Sequence, residues 1–118
     1  MIQGKIWGWT KPLIVTPLVE LHQIYVKPNM QCSLHKHEHK WNAFYVMEGM
    51  LKIVVEKNDY DLTDITQLKS NELTSVPPGE FHKFQTADLP CYALELYYLE
   101  PIGPDIIRKS VGSVIDSN

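Results

Sequence analysis

Short apolar segments separated by turn residues constrain the fold of this chain more than any other feature. β-branched and aromatic residues come in brief runs, and the runs end at turn-forming groups such as Pro28-Asn29 and Pro77-Pro78-Gly79. Short runs at close spacing are typical of β-strands and too brief for most helices. The sequence therefore predicts an all-β sandwich or barrel.

Eight segments fit this strand pattern. They are residues 21–27, 32–37, 43–47, 50–56, 60–68, 73–76, 82–85 and 91–99. No stretch keeps a helical period over three turns; the nearest is 106–114, where Gly112 weakens the pattern. At 118 residues we expect a single domain over 1–118, with a C-terminal tail at 110–118.

Charge and composition exclude several classes of partner. The formal net charge is −3 and no run of Lys or Arg occurs, so we expect no nucleic-acid binding. No window is apolar enough for a membrane span, and the N-terminus lacks the pattern of a signal peptide. Cys32 and Cys91 have no Cys-x-x-Cys spacing, so we expect free thiols and a cytoplasmic location.

Three histidines in two short clusters point to a metal site. In a strand over 32–37, His35 and His37 would face the same side, because side chains alternate. His82 on a neighbouring strand would add a third imidazole to this set. Three nitrogen donors suit a divalent transition metal with positions left open for a ligand. Zn, Fe, Mn and Ni all remain candidates.

The two clusters resemble the two motifs of the cupin superfamily. The first motif runs Gly, five residues, His-x-His, three or four residues, Glu, six residues, Gly; residues 29–49 have this spacing. The second runs Gly, five residues, Pro-x-Gly, two residues, His, three residues, Asn; residues 71–86 have this spacing. The resemblance implies a double-stranded β-helix, the jelly-roll barrel of cupins, with His35, His37 and His82 as metal ligands.

The departures from this pattern have physical consequences. Asn29 and Asn71 replace turn glycines, and Asn tolerates the left-handed backbone better than other residues with a side chain. Asn42 replaces the Glu that would be an anionic ligand. As a neutral fourth partner it leaves the metal a stronger Lewis acid but less tightly held. His39 is the substitute ligand if Asn42 does not serve.

A narrower resemblance concerns the cupin domain of bifunctional phosphomannose isomerase/mannose-1-phosphate guanylyltransferase enzymes. Ile6-Trp7-Gly8 is similar to their Pro-Trp-Gly opening. Residues 25–28 look like the strand before their first motif, and 105–108 look like their closing Asp-Ile-Val-Arg segment. This resemblance implies aldose–ketose isomerisation of a phosphosugar through an enediol. The wider family also leads us to expect a homodimer.

Several further residues are candidates for the site. Glu95 lies in an apolar strand; facing inward, it would be the best general base, and the alternative is an exposed face of an edge strand. Four aromatic residues are candidates for binding a small-molecule substrate: Trp41, Tyr45, Phe84 and Tyr97. Cys32 lies an odd number of positions from His35, which predicts that it faces away. Lys52 and Lys83 are candidate phosphate contacts.

Three functions are compatible with this sequence. The first is a metal-dependent, isomerase-like enzyme acting on a sugar or sugar phosphate. The second is a three-histidine iron dioxygenase, since the loss of the carboxylate at Asn42 points that way. The third is a ligand-binding or sensing module without activity, which the same loss also favours. Oxygen uptake and sugar turnover would distinguish them.

Overall fold

The computed structural model describes residues 1–57, 62–100 and 103–115. Nine strands are present in this part of the chain: β1 Gln3–Lys5, β2 Gly8–Val15, β3 Val19–Val26, β4 Trp41–Glu48, β5 Leu51–Lys57, β6 Leu62–Leu68, β7 Leu73–Val76, β8 Phe81–Gln85 and β9 Cys91–Tyr98. The predicted all-β class is confirmed. None of the described residues form a helix long and apolar enough to cross a membrane.

The strands form two antiparallel sheets. The larger has the order β1-β2-β3-β9-β4-β7 and the smaller has the order β6-β5-β8. The long crossovers place β9 between β3 and β4, so the last of the described strands runs through the centre of the larger sheet. This interleaving of sequence-distant strands is the jelly-roll arrangement.

The core lies between the two sheets and consists of alternate residues from each strand. The larger sheet contributes Ile24 and Phe44, and the smaller sheet contributes Ile53 and Phe84, all nearly inaccessible to solvent. Trp7 closes one side, with its ring edge-on to Phe84 at a centroid distance of 4.9 Å. Two-residue periodicity therefore decides which side chains can reach the interior.

The N-terminal region differs from the sequence prediction, whereas the described part of the C-terminal region agrees with it. β1 and β2 were not predicted, because their mixture of polar and apolar residues gives no clear strand signal. Residues 106–114, the most helix-like stretch, have no regular structure, and most side chains from 103 to 115 are exposed. The predicted strand 60–68 and tail 110–118 extend into 58–61 and 116–118, which lie outside the described residues.

The segment that carries the first two histidines is not the regular strand predicted over 32–37. It is joined to β8 only by isolated bridges, Gln31 to Gln85 and His35 to His82. His35 lies four residues after Gln31, whereas their partners His82 and Gln85 lie three residues apart. The segment therefore contains one extra residue, as in a β-bulge. The extra residue shifts the alternation, and Cys32 is buried on the interior side with His35. The prediction that Cys32 faces away is therefore wrong.

The turns at the ends of the two motifs are as predicted. Asn29 and Asn71 have φ values of 56° and 69°, which confirms that both adopt the left-handed conformation in place of glycine. Gly49 has a φ of 95°, and a β-carbon there would collide with the carbonyl oxygen of Pro90. Only glycine fits this close approach between the β4–β5 turn and the start of β9.

We expect Gly49→Ala to destabilise the fold by roughly 1–3 kcal/mol, because the added methyl group must displace backbone. Gly112→Ala is the matched control, since a β-carbon there would meet no atom within 4 Å. It should change the free energy of unfolding by about 0.5 kcal/mol or less. Urea unfolding of both variants measures the difference. Equal stabilities would contradict the steric argument.

Candidate metal centre

Three imidazoles converge between the sheets. His35, His37 and His82 each offer a ring nitrogen, and these nitrogens all lie within 4.8 Å of one another. Ring centroids are 4.7 Å apart for His35 and His82, 5.1 Å for His35 and His37, and 5.5 Å for His37 and His82. The sequence prediction that the two motifs bring three histidines together is thus met, and the group could hold a metal ion.

Backbone hydrogen bonds fix the positions of the three residues. The amides of His35 and His82 each donate to the other residue's carbonyl oxygen, at 3.1 and 2.8 Å. The amide of Gly79, in the Pro-Pro-Gly turn of the second motif, donates to the carbonyl oxygen of His37 at 2.8 Å. Each motif therefore holds the other in place, which explains why their spacings matter.

Second hydrogen bonds set the tautomers of two of the rings. Nδ1 of His35 donates to the carbonyl oxygen of Ser33 at 2.8 Å, and Nδ1 of His82 donates to that of Glu80 at 3.0 Å. A neutral ring that donates through Nδ1 carries a lone pair on Nε2. This arrangement, with the outer nitrogen bonded to a carbonyl, is common in metal-binding histidines.

The third ring has an unsatisfied nitrogen. Nε2 of His37 is buried and has no hydrogen-bond partner among the described residues. An unpaired buried polar atom is costly, so such atoms call for an explanation. A cation shared with the other two imidazoles would supply the missing partner. The donor set therefore fits a divalent transition metal.

Asn42 extends this set with an oxygen. Its side chain is fully buried, and Oδ1 lies 2.9 Å from Nε2 of His82. Both atoms carry lone pairs when the His82 proton is on Nδ1, so they would repel without a positive charge between them. Two ligands at about 2.1 Å from one ion are separated by about 3 Å. The contact is therefore compatible with Asn42 as the fourth metal partner predicted from the sequence.

Two of the three imidazoles have the protonation state that metal binding requires. Burial is the main cause that lowers the pKa of His37 to about 4, and the nearby His35 and His82 act in the same direction. Burial also lowers the pKa of His82, although the Glu80 carbonyl opposes the change. Both rings are therefore neutral at pH 7, and a neutral imidazole can coordinate a metal without first losing a proton.

Glu95 faces the interior next to this group. It lies on β9, a central strand, so the alternative of an exposed edge-strand face is wrong. Burial raises the pKa of its carboxyl, although hydrogen bonds to Tyr97 and Asn42 oppose the increase. A carboxylate with raised proton affinity is better matched to proton transfer near neutral pH than an exposed one.

A cavity of about 730 Å³ lies beside the histidines. Its lining includes His35 and Glu95, together with two of the aromatic residues predicted to bind a substrate, Phe84 and Tyr97. The volume is within the range of small-molecule sites. His35, a candidate metal ligand, and Glu95, the candidate base, thus line the same cavity.

The structure does not bring Trp41 and Tyr45 to this cavity. Asn42 points inward, so its odd-numbered neighbours on β4 face the outer side of the larger sheet. There Trp41 stacks on Tyr98 at a centroid distance of 6.1 Å, and the Tyr45 hydroxyl donates to Asn71. His39 also lies outside the histidine group, exposed beside an outer groove.

Sequence reasoning missed several cavity residues because it missed the first two strands. Lys5 on β1 and Thr10 on β2 line the chamber. His22, which the sequence indicated to be a plain strand residue, also lines it, and so does Gln31, which was expected near the mouth of the pocket. The alternation of Gly8 and Thr10 with bulkier neighbours was the available signal. Lys52 and Lys83, the candidate phosphate contacts, each alternate with inward residues of β5 and β8 and so point away from the chamber.

The family model described as "Mannose-6-phosphate isomerase C-terminal" matches residues 4–109. The chain belongs to this family. Among its relatives is mannose-1-phosphate guanylyltransferase of Klebsiella pneumoniae, which is 25% identical over 104 residues. The match covers 87% of this chain and 21% of that enzyme. This member of the mannose-6-phosphate isomerase C-terminal family thus spans about a fifth of that curated relative.

Solved structures confirm the predicted jelly-roll cupin fold for this member of the family. KdgF from Halomonas sp. superposes with a TM-score of 0.72 at 15% identity, over 86% of this chain and 87% of the other. The Bacillus subtilis oxalate decarboxylase, studied for its Mn(II) centres, gives a TM-score of 0.74 at 15% identity, over 87% of this chain and 28% of the other. At these identities the likeness establishes the fold alone.

We expect His82→Ala to weaken Co²⁺ binding about 100-fold or more, because loss of outer partners of metal-binding histidines alone costs about 10–100-fold. His39→Ala is the matched control and should bind like the unaltered protein, since His39 lies outside the group. Competition with a chromophoric chelator measures both affinities. Equal loss in the two variants would argue against a site at His82.

Proposed function

We propose that this protein is a small metal-dependent enzyme that converts a sugar or sugar phosphate by isomerase-like proton transfer. The observation that carries the proposal is the placement of Glu95 and His35 in one cavity, beside His37 and His82. A carboxylate next to a Lewis acid is the combination that proton abstraction beside a carbonyl requires. Membership of the mannose-6-phosphate isomerase C-terminal family supports the same substrate class.

The residues divide the work of such a reaction. The three histidines and Asn42 would hold a divalent ion, which would supply a Lewis acid for a carbonyl or hydroxyl oxygen of the substrate. Glu95 would take the proton from the hydroxyl-bearing carbon beside the carbonyl and return it to the former carbonyl carbon. The proton of that hydroxyl group would pass to the former carbonyl oxygen, and the two transfers together interconvert aldose and ketose. Tyr97 holds the carboxyl through its hydroxyl, and Lys5 is placed to receive an anionic group of the substrate.

Glu95→Gln tests this assignment. With mannose 6-phosphate as substrate and Mn²⁺ or Zn²⁺ added, we expect the variant to lose about 100-fold or more in kcat, as is typical of a missing general base. The fructose 6-phosphate formed measures turnover, and Glu38→Gln, an exposed change outside the cavity lining, is the control. Turnover that survives Glu95→Gln would remove Glu95 from the reaction.

An iron dioxygenase is the second candidate, favoured by the neutral Asn42 in place of a carboxylate ligand. Iron-dependent oxygen consumption by the unaltered protein would support it, whereas an isomerase consumes no oxygen. A protein that binds metal but turns over neither sugars nor oxidisable substrates would instead be a binding or sensing module. The two assays together separate the three functions.

The outer face of the larger sheet supports a homodimer. A groove of about 1010 Å³ crosses it, and most of its lining is apolar: Leu18, Val19, Ala43, Leu73, Leu96, Tyr98 and Leu99. An exposed apolar surface of this kind is typical of a subunit interface. Because a two-fold interface is formed by the same surface on both subunits, a second copy can cover the face.

We expect Leu73→Lys to shift the protein from dimer to monomer, because it puts a charge into the apolar groove. Ile65→Lys, on β6 of the other sheet, is the control, since Leu73 and Ile65 are 62% and 60% exposed. Light scattering at micromolar concentration should give twice the 13.6 kDa chain mass for the control. A monomeric unaltered protein would contradict the proposal.

The cytoplasm remains the proposed location. Cys32 and Cys91 are both free and buried, and burial raises the pKa of each thiol to about 11. Neutral, buried thiols without a disulfide suit a reducing compartment. Labelling of thiols in freshly prepared cell extracts would reveal their state.

A further inference from the structure

A buried chain of side chains connects the histidine group to the centre of the larger sheet. Nε2 of His82 lies 2.9 Å from Oδ1 of Asn42, whose Nδ2 donates to Oε2 of Glu95 at 3.4 Å. Glu95 in turn interacts with Tyr97. His82, Asn42 and Glu95 are 1%, 0% and 7% exposed, so water competes little for these contacts.

The orientation of the Asn42 carboxamide decides what it offers to the histidines. With Oδ1 inward it presents lone pairs, as a metal partner must; rotated by half a turn it would present two N–H donors. Both acceptors near Nδ2, the Glu95 carboxylate and the carbonyl oxygen of Leu96 at 3.3 Å, lie on the side away from His82. They favour the orientation with the oxygen inward.

The larger sheet fixes the position of Glu95 beside the carboxamide of Asn42. Its strand, β9, pairs with β4 on one side and β3 on the other, and Glu95 lies opposite Phe44 and His22. A residue paired on both sides has little freedom to move along or out of the sheet. Glu95 is one of two acceptors for Nδ2 of Asn42, at 3.4 Å, and the other is the backbone carbonyl oxygen of Leu96 at 3.3 Å.

We propose that Glu95 is a positioning residue that acts through Asn42, holding its carboxamide so that the oxygen faces the three histidines. This inference rests on the proposed function insofar as that function requires a metal on these residues. It adds a role for Glu95 beyond proton transfer. It also gives a reason for the neutral Asn42: the carboxylate lies one side chain further from the histidines and acts through the amide.

Two substitutions at Glu95 separate this role from the others. Glu95→Met removes the acceptor at similar volume, and we expect Co²⁺ affinity to fall about 10-fold, in the range found for outer partners of metal ligands. Glu95→Gln keeps an acceptor oxygen for Asn42 and places its amide toward the Tyr97 hydroxyl. It should bind Co²⁺ almost as well as the unaltered protein while losing turnover. Equal affinity of the Met variant and the unaltered protein would overturn the proposal.

A double substitution tests the path through Asn42. In an Asn42→Ala background, Glu95→Met should cause no further loss of Co²⁺ affinity, because the side chain it orients is gone. The visible absorption of bound Co²⁺, which reports its ligand set, should change alike in Asn42→Ala and Glu95→Met. A full additional loss in the double variant would show that Glu95 acts on the metal without Asn42, contrary to the proposal.

A measurement without metal keeps the inference separate from the proposed function. In the unaltered protein, hydrogen exchange of the Asn42 side-chain amide should be much slower than that of Asn29, which is exposed. Exchange at the Asn29 rate would overturn the positioning role even if Glu95→Met could not be prepared folded. A protein that binds no Co²⁺ at all, yet protects Asn42, would contradict the proposed function and leave the positioning of the amide intact.

Discussion

The reciprocal pair of backbone hydrogen bonds between His35 and His82 is the contact on which the candidate site depends. It joins two segments almost fifty residues apart and brings their imidazoles to the same point between the sheets. The bond from Gly79 to the His37 carbonyl adds the third ring to the same frame. Because these contacts use backbone atoms, the side chains remain available for chemistry. The interleaved strand order keeps the two segments adjacent.

The short strand-like segments predicted the all-β class, and the resemblance of the two motifs to the cupin pattern implied the jelly roll and the convergence of three histidines. Turn residues at fixed positions and alternating strands leave few ways to arrange such a chain. The left-handed Asn29 and Asn71 show the same agreement between local preference and global fold. Predictions of this kind succeed where the local sequence alone determines the backbone.

Other features depend on contacts that the sequence does not display. β1 and β2 become strands because β3 supplies a partner edge, and their own composition gives only a weak signal. Trp41 was expected in the cavity because aromatic residues favour binding sites. Side chains alternate along β4, however, and Asn42 faces inward, so Trp41 lies on the outer face of the sheet. Cys32 was predicted to face away from His35 because regular alternation was assumed. One extra residue interrupts the pairing there, so both side chains face the interior.

The extra residue between Gln31 and His35 has a further consequence for the redesign of this segment. Four steps from Gln31 to His35 face three steps from His82 to Gln85, and a deletion within the longer arm would restore an even ladder. In the even ladder Cys32 would lie opposite Phe84 and His35 opposite His82, so both side chains would still face the interior, as their buried partners do. The extra residue therefore does not decide which way His35 faces; the stretch that contains it supplies the carbonyl oxygen of Ser33, which accepts a hydrogen bond from Nδ1 of His35. A redesign of this stretch as an ideal strand would keep the fold and the direction of His35, but it would have to supply a new hydrogen-bond partner for Nδ1 of that ring.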